Sequence, residues 1–258
     1  VCIVTGSSIL TIDIGNSRIK WALWKNALLV EQGAHDYRAD NLPAILSRAW
    51  SALEVPAQAI LACVAGAAAE SEVQNWLTGH WQVEARVLRT TKQFAGLRHA
   101  YAQPEQHGVD RWAAMIAARK LYQTPLCVIS CGTATTLDLI DADGQHLGGQ
   151  IMPGTELMFA ALKARIPVLS DLEFSSAVPD RPFATNTDDA VHLGVTQMAA
   201  AGLDHACDAA RELLGANMKI LITGGAAAAM LALMKNSVEL QTDLVLYGLY
   251  LALQQELA

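Results

Sequence analysis

Charge is scarce in this sequence: Lys, Arg, Asp and Glu make up 17% of its 258 residues, and acid outweighs base to leave a formal charge of −7. A broad nucleic-acid surface needs clustered Lys and Arg to match a phosphate backbone, so no nucleic-acid partner is expected. An anionic small ligand would instead be met by a few locally placed cations. Long apolar runs are lacking too: no stretch reaches the roughly 18 residues that span a bilayer, so no membrane association is expected. The runs at 226–234 and 244–253 are too short. Residues 1–8 have no basic segment followed by an apolar core, so no signal peptide is expected, and they read as a disordered or cloning-derived lead-in. Cysteine is sparse and odd in number, at Cys2, Cys63, Cys127, Cys131 and Cys207, without Cys-x-x-Cys spacing. These read as reduced core residues of a cytoplasmic protein rather than a disulfide or zinc framework.

What the chain has in quantity is apolar residues, 52% of the total, enough to bury a substantial core in one large or two small domains. Its organising stretch is Ile9-Leu10-Thr11-Ile12-Asp13-Ile14-Gly15-Asn16-Ser17-Arg18-Ile19-Lys20. This reads as a buried strand, a tight turn of small polar residues and a second strand leaving toward Trp24. Asp13 stands where packing alone would choose Val or Ile; an unpaired carboxylate buried there is costly or takes up a proton. A cationic neighbour is therefore expected. Gly15, Asn16 and Ser17 offer backbone N–H groups to an anion, and magnesium carried on a nucleotide phosphate would satisfy carboxylate and turn together. The same residues also suit an ordinary hairpin with a turn-stabilising Asp, and Asp-x-Gly-x-Ser alone does not decide.

A third strand over 27–34 follows the Lys25-Asn26 turn. Leu42, Ile45, Leu46, Ala49, Trp50 and Leu53 have helical spacing behind Asn41 as N-cap. Then come a strand at 59–65, a helix at 70–79 and a strand at 83–88, the order of an α/β unit with a largely buried sheet. Residues 90–108 form an irregular segment rich in polar and aromatic residues, of a length that often binds. Val109-Asp110-Arg111-Trp112 then opens an Ala-rich helix to about Tyr122. Asp110 there serves either as N-cap or dipole partner, or as a catalytic carboxylate.

Residues 126–138 restate the opening. Val128-Ile129-Ser130-Cys131-Gly132-Thr133-Ala134 aligns with Thr11-Ile12-Asp13-Ile14-Gly15-Asn16-Ser17, so Ser130 takes the place of Asp13, each two residues before a turn glycine. Asp141-Ala142-Asp143-Gly144 makes a hairpin turn, and 145–152 is a third strand. Two such units indicate a duplicated α/β architecture with a ligand cleft between the halves. A helix follows Pro153-Gly154 through Leu162, and 164–183 is long and polar. Asn186-Thr187-Asp188-Asp189 starts a helix to about Leu214, with Asn186 or Thr187 as cap or as a contact to a substrate hydroxyl. A strand at 218–223 ends in Gly224-Gly225, which permits close approach of a nucleotide or of packed backbone. A final apolar-faced helix at 243–257 would pack on the sheet or on a second subunit.

Taken in order, these pieces resemble the superfamily of acetate kinase, sugar kinases, Hsp70 and actin. Within it the chain resembles type III pantothenate kinase, a family that includes Bvg accessory factors. The resemblance rests on Asp13 to Lys20, Tyr101 with Pro104, Gly108-Val109-Asp110-Arg111 and Gly132-Thr133-Ala134-Thr135-Thr136-Leu137-Asp138. It continues through Gly148-Gly149-Gln150-Ile151-Met152-Pro153-Gly154, Asn186-Thr187 and Thr223-Gly224-Gly225. It implies an α/β fold of duplicated ribonuclease H-like (actin-like ATPase) domains with an interdomain cleft, at 9–122 and 123–258. It further implies ATP-dependent phosphorylation of the primary hydroxyl of pantothenate to 4′-phosphopantothenate, the first step toward coenzyme A. By this resemblance Asp13, Ile14, Gly15, Asn16, Ser17, Arg18, Ile19 and Lys20 hold ATP phosphates and Mg2+, with Thr133 near ATP. Asp110 accepts the proton, and Tyr101, Gly108, Val109, Asp110, Arg111 and Thr187 surround pantothenate, Arg111 being suited to a two-pronged bond with its carboxylate. Ser130 stands where many members carry an Asp that helps bind an activating K+ or NH4+. A neutral hydroxyl is a poorer ligand, which puts that requirement in question. Members are commonly homodimers in which the second subunit completes the pantothenate pocket. Two other functions fit the same residues, a kinase of another hydroxylated metabolite and a non-catalytic regulator of the accessory-factor kind.

Overall fold

The computed structural model describes residues 8–37, 41–175 and 181–256. Residues 1–7 of the expected lead-in, 176–180 of the polar segment and the last two residues lie outside that set. In chain order the elements are β1 (Ile9–Ile14), β2 (Arg18–Lys25), β3 (Leu28–Asp36), α1 (Leu42–Trp50), β4 (Gln58–Cys63), α2 (Ala67–Trp81) and β5 (Ala85–Val87). A short hairpin of β6 (Gln93–Phe94) and β7 (Leu97–Arg98) leads to α3 (Val109–Leu121). Then come β8 (Leu126–Cys131), β9 (Ala134–Ile140), β10 (His146–Pro153), α4 (Thr155–Arg165), α5 (Thr187–Leu214), β11 (Lys219–Thr223), α6 (Ala227–Leu231), β12 (Glu239–Leu240) and α7 (Leu244–Glu256).

The expected duplication is visible in the strand order. One five-stranded sheet runs β3-β2-β1-β4-β5 and the other β10-β9-β8-β11-β12. In each, a central strand pairs antiparallel with the strand after it and parallel with a later one: β1 with β2 and β4, β8 with β9 and β11. Asp13 and Ser130 are each the penultimate residue of that central strand.

The first sheet is covered on both faces. Side chains alternate along a strand, and Leu10, Ile12 and Ile14 of β1 pack with Leu42, Leu46 and Trp50 of α1 and with Val73, Trp76 and Leu77 of α2. Ile9, Thr11 and Asp13 therefore face the other way, toward α7, which contacts β1, β2 and β4. On that face the Trp24 indole N–H donates to Thr11 Oγ1 at 2.9 Å, and Tyr250 lies 5.0 Å from the Trp24 ring. Asn41 caps α1, as its position ahead of the apolar spacing predicts.

The chain divides into two compact units, one holding β1 to α3 together with α7, the other holding residues 121–243. The expected second domain of 123–258 thus loses its last helix to the first unit. The cause is the surface that α7 presents: Leu244, Leu246, Leu249, Ala252 and Leu253 are buried, and Gly248 sits so close to α3 that an added Cβ would lie 1.9 Å from the Ala113 carbonyl oxygen. In the second unit Cys127, Ile129 and Cys131 of β8 and Leu137 of β9 pack against Leu203, Ala206, Cys207 and Ala210 of α5. Ser130 therefore faces away from α5. No helix among the described residues is long and apolar enough to cross a membrane.

Candidate active site

Asp13 is only 8% exposed, held in mid-sheet by Lys20 opposite it on β2 and Ala62 beside it on β4. Cross-strand partners share a face, so Lys20 supplies a cationic neighbour of the kind this carboxylate calls for. It does not win. Burial, followed by the negative charge of Asp110, lifts the Asp13 carboxyl from 3.8 to about 7, with Lys20 only partly opposing them. The carboxyl thus carries a proton for much of its time near neutrality. Two acids from opposite ends of the first 110 residues are within electrostatic range of each other.

The turn after Asp13 is a tight hairpin. The Gly15 N–H donates to the Arg18 carbonyl at 3.0 Å, and a Cβ on Gly15 would meet that oxygen at 3.2 Å. Ile14 and Ile19 are buried and anchor the turn to the core, while Asn16 and Arg18 are exposed at its tip. Tyr37, just after β3, grips the turn from one side. Its hydroxyl donates to the Gly15 carbonyl at 2.5 Å and its backbone N–H to the Ser17 carbonyl at 3.3 Å.

Asp110 sits in the first turn of α3, one residue inside its start, with the Arg111 N–H donating to its Oδ1 at 2.8 Å. It is therefore a first-turn acid favoured by the helix dipole rather than the cap residue. A Cβ on Gly108 would come 2.6 Å from Asp110 Oδ1, so this glycine makes room for the carboxylate. Val109 and Arg111 are buried beside it. The segment before α3 is tied down by its aromatics: the Tyr101 N–H donates to His99 Nδ1 at 2.9 Å, and Lys92 Nζ donates to the Tyr101 carbonyl at 3.0 Å. The His99 ring lies 5.2 Å from Trp112 on α3 and 4.6 Å from His107. Tyr101, Gly108, Val109, Asp110 and Arg111 are thus placed by one packed loop and one helix start.

In the second unit Ser130 pairs with Thr136 on β9 and Thr223 on β11, a row of hydroxyl-bearing residues where the first sheet has Lys20, Asp13 and Ala62. Thr133 is exposed at the β8–β9 turn. Two glycines bring backbone against that turn. A Cβ on Gly154 would lie 2.3 Å from the Gly132 carbonyl oxygen, and one on Gly224, whose φ is +102°, 2.3 Å from that of Cys131. Thr187 is the exposed first residue of α5, and the cap is Asn186, whose Oδ1 accepts the Asp189 N–H at 2.8 Å. Thr187 lies on a different element from Ser130 and Thr133.

The sequence reading missed Tyr37 and the pair His99 and His107. A single Tyr after an exposed strand gives no local signal, because its partners Gly15 and Ser17 lie about 20 residues earlier in the chain.

Among solved structures the chain is similar to a Baf family protein from Campylobacter jejuni, with a TM-score of 0.59 at 19% identity over 96% of this chain and 98% of that one. It is also similar to MreB 5 of Spiroplasma citri bound to AMPPNP, with a TM-score of 0.54 at 10% identity over 97% and 98% of the two chains. These likenesses set the class: an actin-like ATPase fold. A family model for type III pantothenate kinase matches residues 9–209, and the chain is 36% identical to the type III pantothenate kinase of Nitrosococcus oceani, covering 93% of this chain and 92% of that one. The chain belongs to the type III pantothenate kinase family, whose members are ATP-dependent kinases.

Proposed function

We propose that this chain transfers the γ-phosphate of ATP to the primary hydroxyl of pantothenate to give 4′-phosphopantothenate, with Asp110 as proton acceptor and the turn from Asp13 to Lys20 holding the phosphates. The observation that carries the reading is that Asp110, in the first turn of α3, lies near enough to the buried Asp13 of β1 for its charge to raise that carboxyl. Phosphoryl transfer asks a protein for positioning and charge neutralisation more than for covalent help. Asp110 supplies the place for the alcohol proton as the new P–O bond forms. Gly108 and the helix start fix its direction, and Arg111 and Tyr101 flank it as contacts for the acceptor. Val109, buried beside Asp110, is assigned with Gly108 to the pantothenate pocket, Thr133 serves the nucleotide, and Thr187 contacts pantothenate.

Magnesium arriving with ATP fits the donor set, because a buried carboxyl pushed up to about 7 by burial and a neighbouring acid regains its charge when a divalent cation is near. Asp13 would hold it, and the ion's contribution is to neutralise phosphate charge. Ser130 provides no carboxylate for a monovalent cation, so activity is proposed to be independent of K+ and NH4+. A homodimer is proposed as well, since the second unit exposes the apolar side chains Ile151, Leu157, Val168 and Phe183, which a second copy would cover. Sedimentation equilibrium checks it, and a monomer at micromolar concentration would refute it.

Steady-state kinetics of Asp110→Asn test the base. Loss of a positioned general base lowers kcat by about 10²- to 10⁴-fold with folding retained, and a fully active variant would remove the assignment.

A further inference from the structure

The geometry points to Tyr37 as a positioning residue that aims the turn after β1 at the nucleotide phosphates, an inference that rests on the nucleotide reading of that turn. Tyr37 holds two carbonyls: that of Gly15 through its hydroxyl at 2.5 Å and that of Ser17 through its backbone N–H at 3.3 Å. Each of these carbonyls shares a peptide with the next N–H, Gly15 with Asn16 and Ser17 with Arg18. Among the described residues no peptide is cis, and in a trans peptide C=O and N–H point to opposite sides. Pinning both carbonyls on the Tyr37 side therefore turns the N–H groups of Asn16 and Arg18 to the other side. That is the arrangement an anion requires, since carbonyl oxygens facing a phosphate repel it.

Ile14, Ile19 and the Gly15–Arg18 hydrogen bond anchor the base of the turn, while Asn16 and Arg18 at its tip are exposed. Tyr37 is itself anchored, packing at the edge of the core formed by β1, β2, α1 and α2. Burial, then the neighbouring Cys63 thiol and the Asp13 carboxyl, push its phenol above the ordinary value of 10. It therefore stays protonated, and a donor, throughout the working range of an enzyme. The role concerns orientation alone: no atom of Tyr37 needs to touch the nucleotide.

Tyr37→Phe tests this, because it removes one oxygen and leaves the ring packing in place. We expect KM for Mg·ATP and the calorimetric Kd for ADP to rise by about five- to tenfold, the worth of one net hydrogen bond. KM for pantothenate should stay at its wild-type value, and the thermal midpoint should fall by no more than the roughly 2–4 °C that one lost hydrogen bond costs a chain of this size. Unchanged nucleotide affinity would overturn the inference. So would a parallel rise in both KM values with a lowered midpoint, which is the mark of a merely structural tyrosine. A wild-type protein that binds ADP yet phosphorylates no pantothenate would overturn the acceptor assignment alone, leaving the ADP comparison to judge Tyr37. A wild-type protein that binds no nucleotide would overturn both.

Discussion

Replacing Asp13 by Asn should make the metal-free protein more stable while removing its function, and the size of the gain follows from the environment of one carboxyl. Its folded value of about 7 lies above the ordinary 3.8, so the folded state holds the proton more tightly than the unfolded chain. The stability this provides is complete below about 3.8 and is lost as pH rises through about 7. Some three pH units at about 1.36 kcal/mol each make the cost of the ionised carboxylate about 4 kcal/mol at pH 8, and about 1.5 kcal/mol at pH 5. Asn is nearly isosteric and carries no such cost. Urea unfolding in EDTA without nucleotide reads the difference. The protein's six tryptophans, Trp21, Trp24, Trp50, Trp76, Trp81 and Trp112, all belong to the unit that contains Asp13, so indole fluorescence follows that unit alone. The gain of the Asn variant should grow from pH 5 to about pH 7 and level off by pH 8, alongside loss of magnesium-dependent nucleotide binding. A variant no more stable than wild type at pH 8, or a gain independent of pH, would refute the reasoning.

Gly248→Ala forces a methyl group into the Ala113 carbonyl and must push α7 off α3. An overpacking cost of about 1–3 kcal/mol should appear in the same fluorescence-detected unfolding. Asp204 on α5 accepts the backbone N–H groups of Lys235, at 2.9 Å, and Asn236, at 3.0 Å, as well as the Asn236 side-chain amide at 3.1 Å. Burial alone would raise its carboxyl, but these donors together hold it below the ordinary 3.8. Its contribution is therefore present above about 3.8 and lost as pH falls further, and Asp204→Ala should cost about 2–3 kcal/mol at pH 7 with a flatter acid limb in unfolding followed by circular dichroism, since no tryptophan reports on this unit. Ser130→Asp should confer a response to K+ that the wild-type activity is expected to lack, as assayed in Tris buffer with and without KCl.

Much of this architecture is local, and local features are legible in a sequence. The β1–β2 hairpin announces itself through an apolar run, Gly15-Asn16-Ser17 and a second apolar run. The β8–β9 hairpin repeats the pattern, and Asn41 and Asn186 mark the helix starts they cap. The matching strand orders of the two sheets follow from the repeat. What the sequence hides is pairing over distance. The apolar α7 would suit either sheet, and it joins the first through its buried leucines, Gly248 against Ala113 and the tilted contact of Tyr250 with Trp24. A cationic neighbour was expected beside Asp13, and Lys20 on β2 is one. That a second acid and burial outweigh it depends on where α3 packs, which no spacing within residues 9–20 reveals. Tyr37 escapes notice for the same reason: its role lies in two carbonyls of another strand's turn. The segment at 90–108 reads as irregular, yet it closes a small hairpin, with Ala95 and Gly96 at positive φ, and packs His99 between Tyr101 and Trp112.

The most direct test of the account is transfer of label from γ-labelled ATP, in the presence of magnesium, to pantothenate, with the product identified by mass. The account predicts labelled 4′-phosphopantothenate from the wild-type protein and a rate at least about a hundredfold lower from Asp110→Asn. Absence of labelled product from well-folded wild-type protein would contradict it.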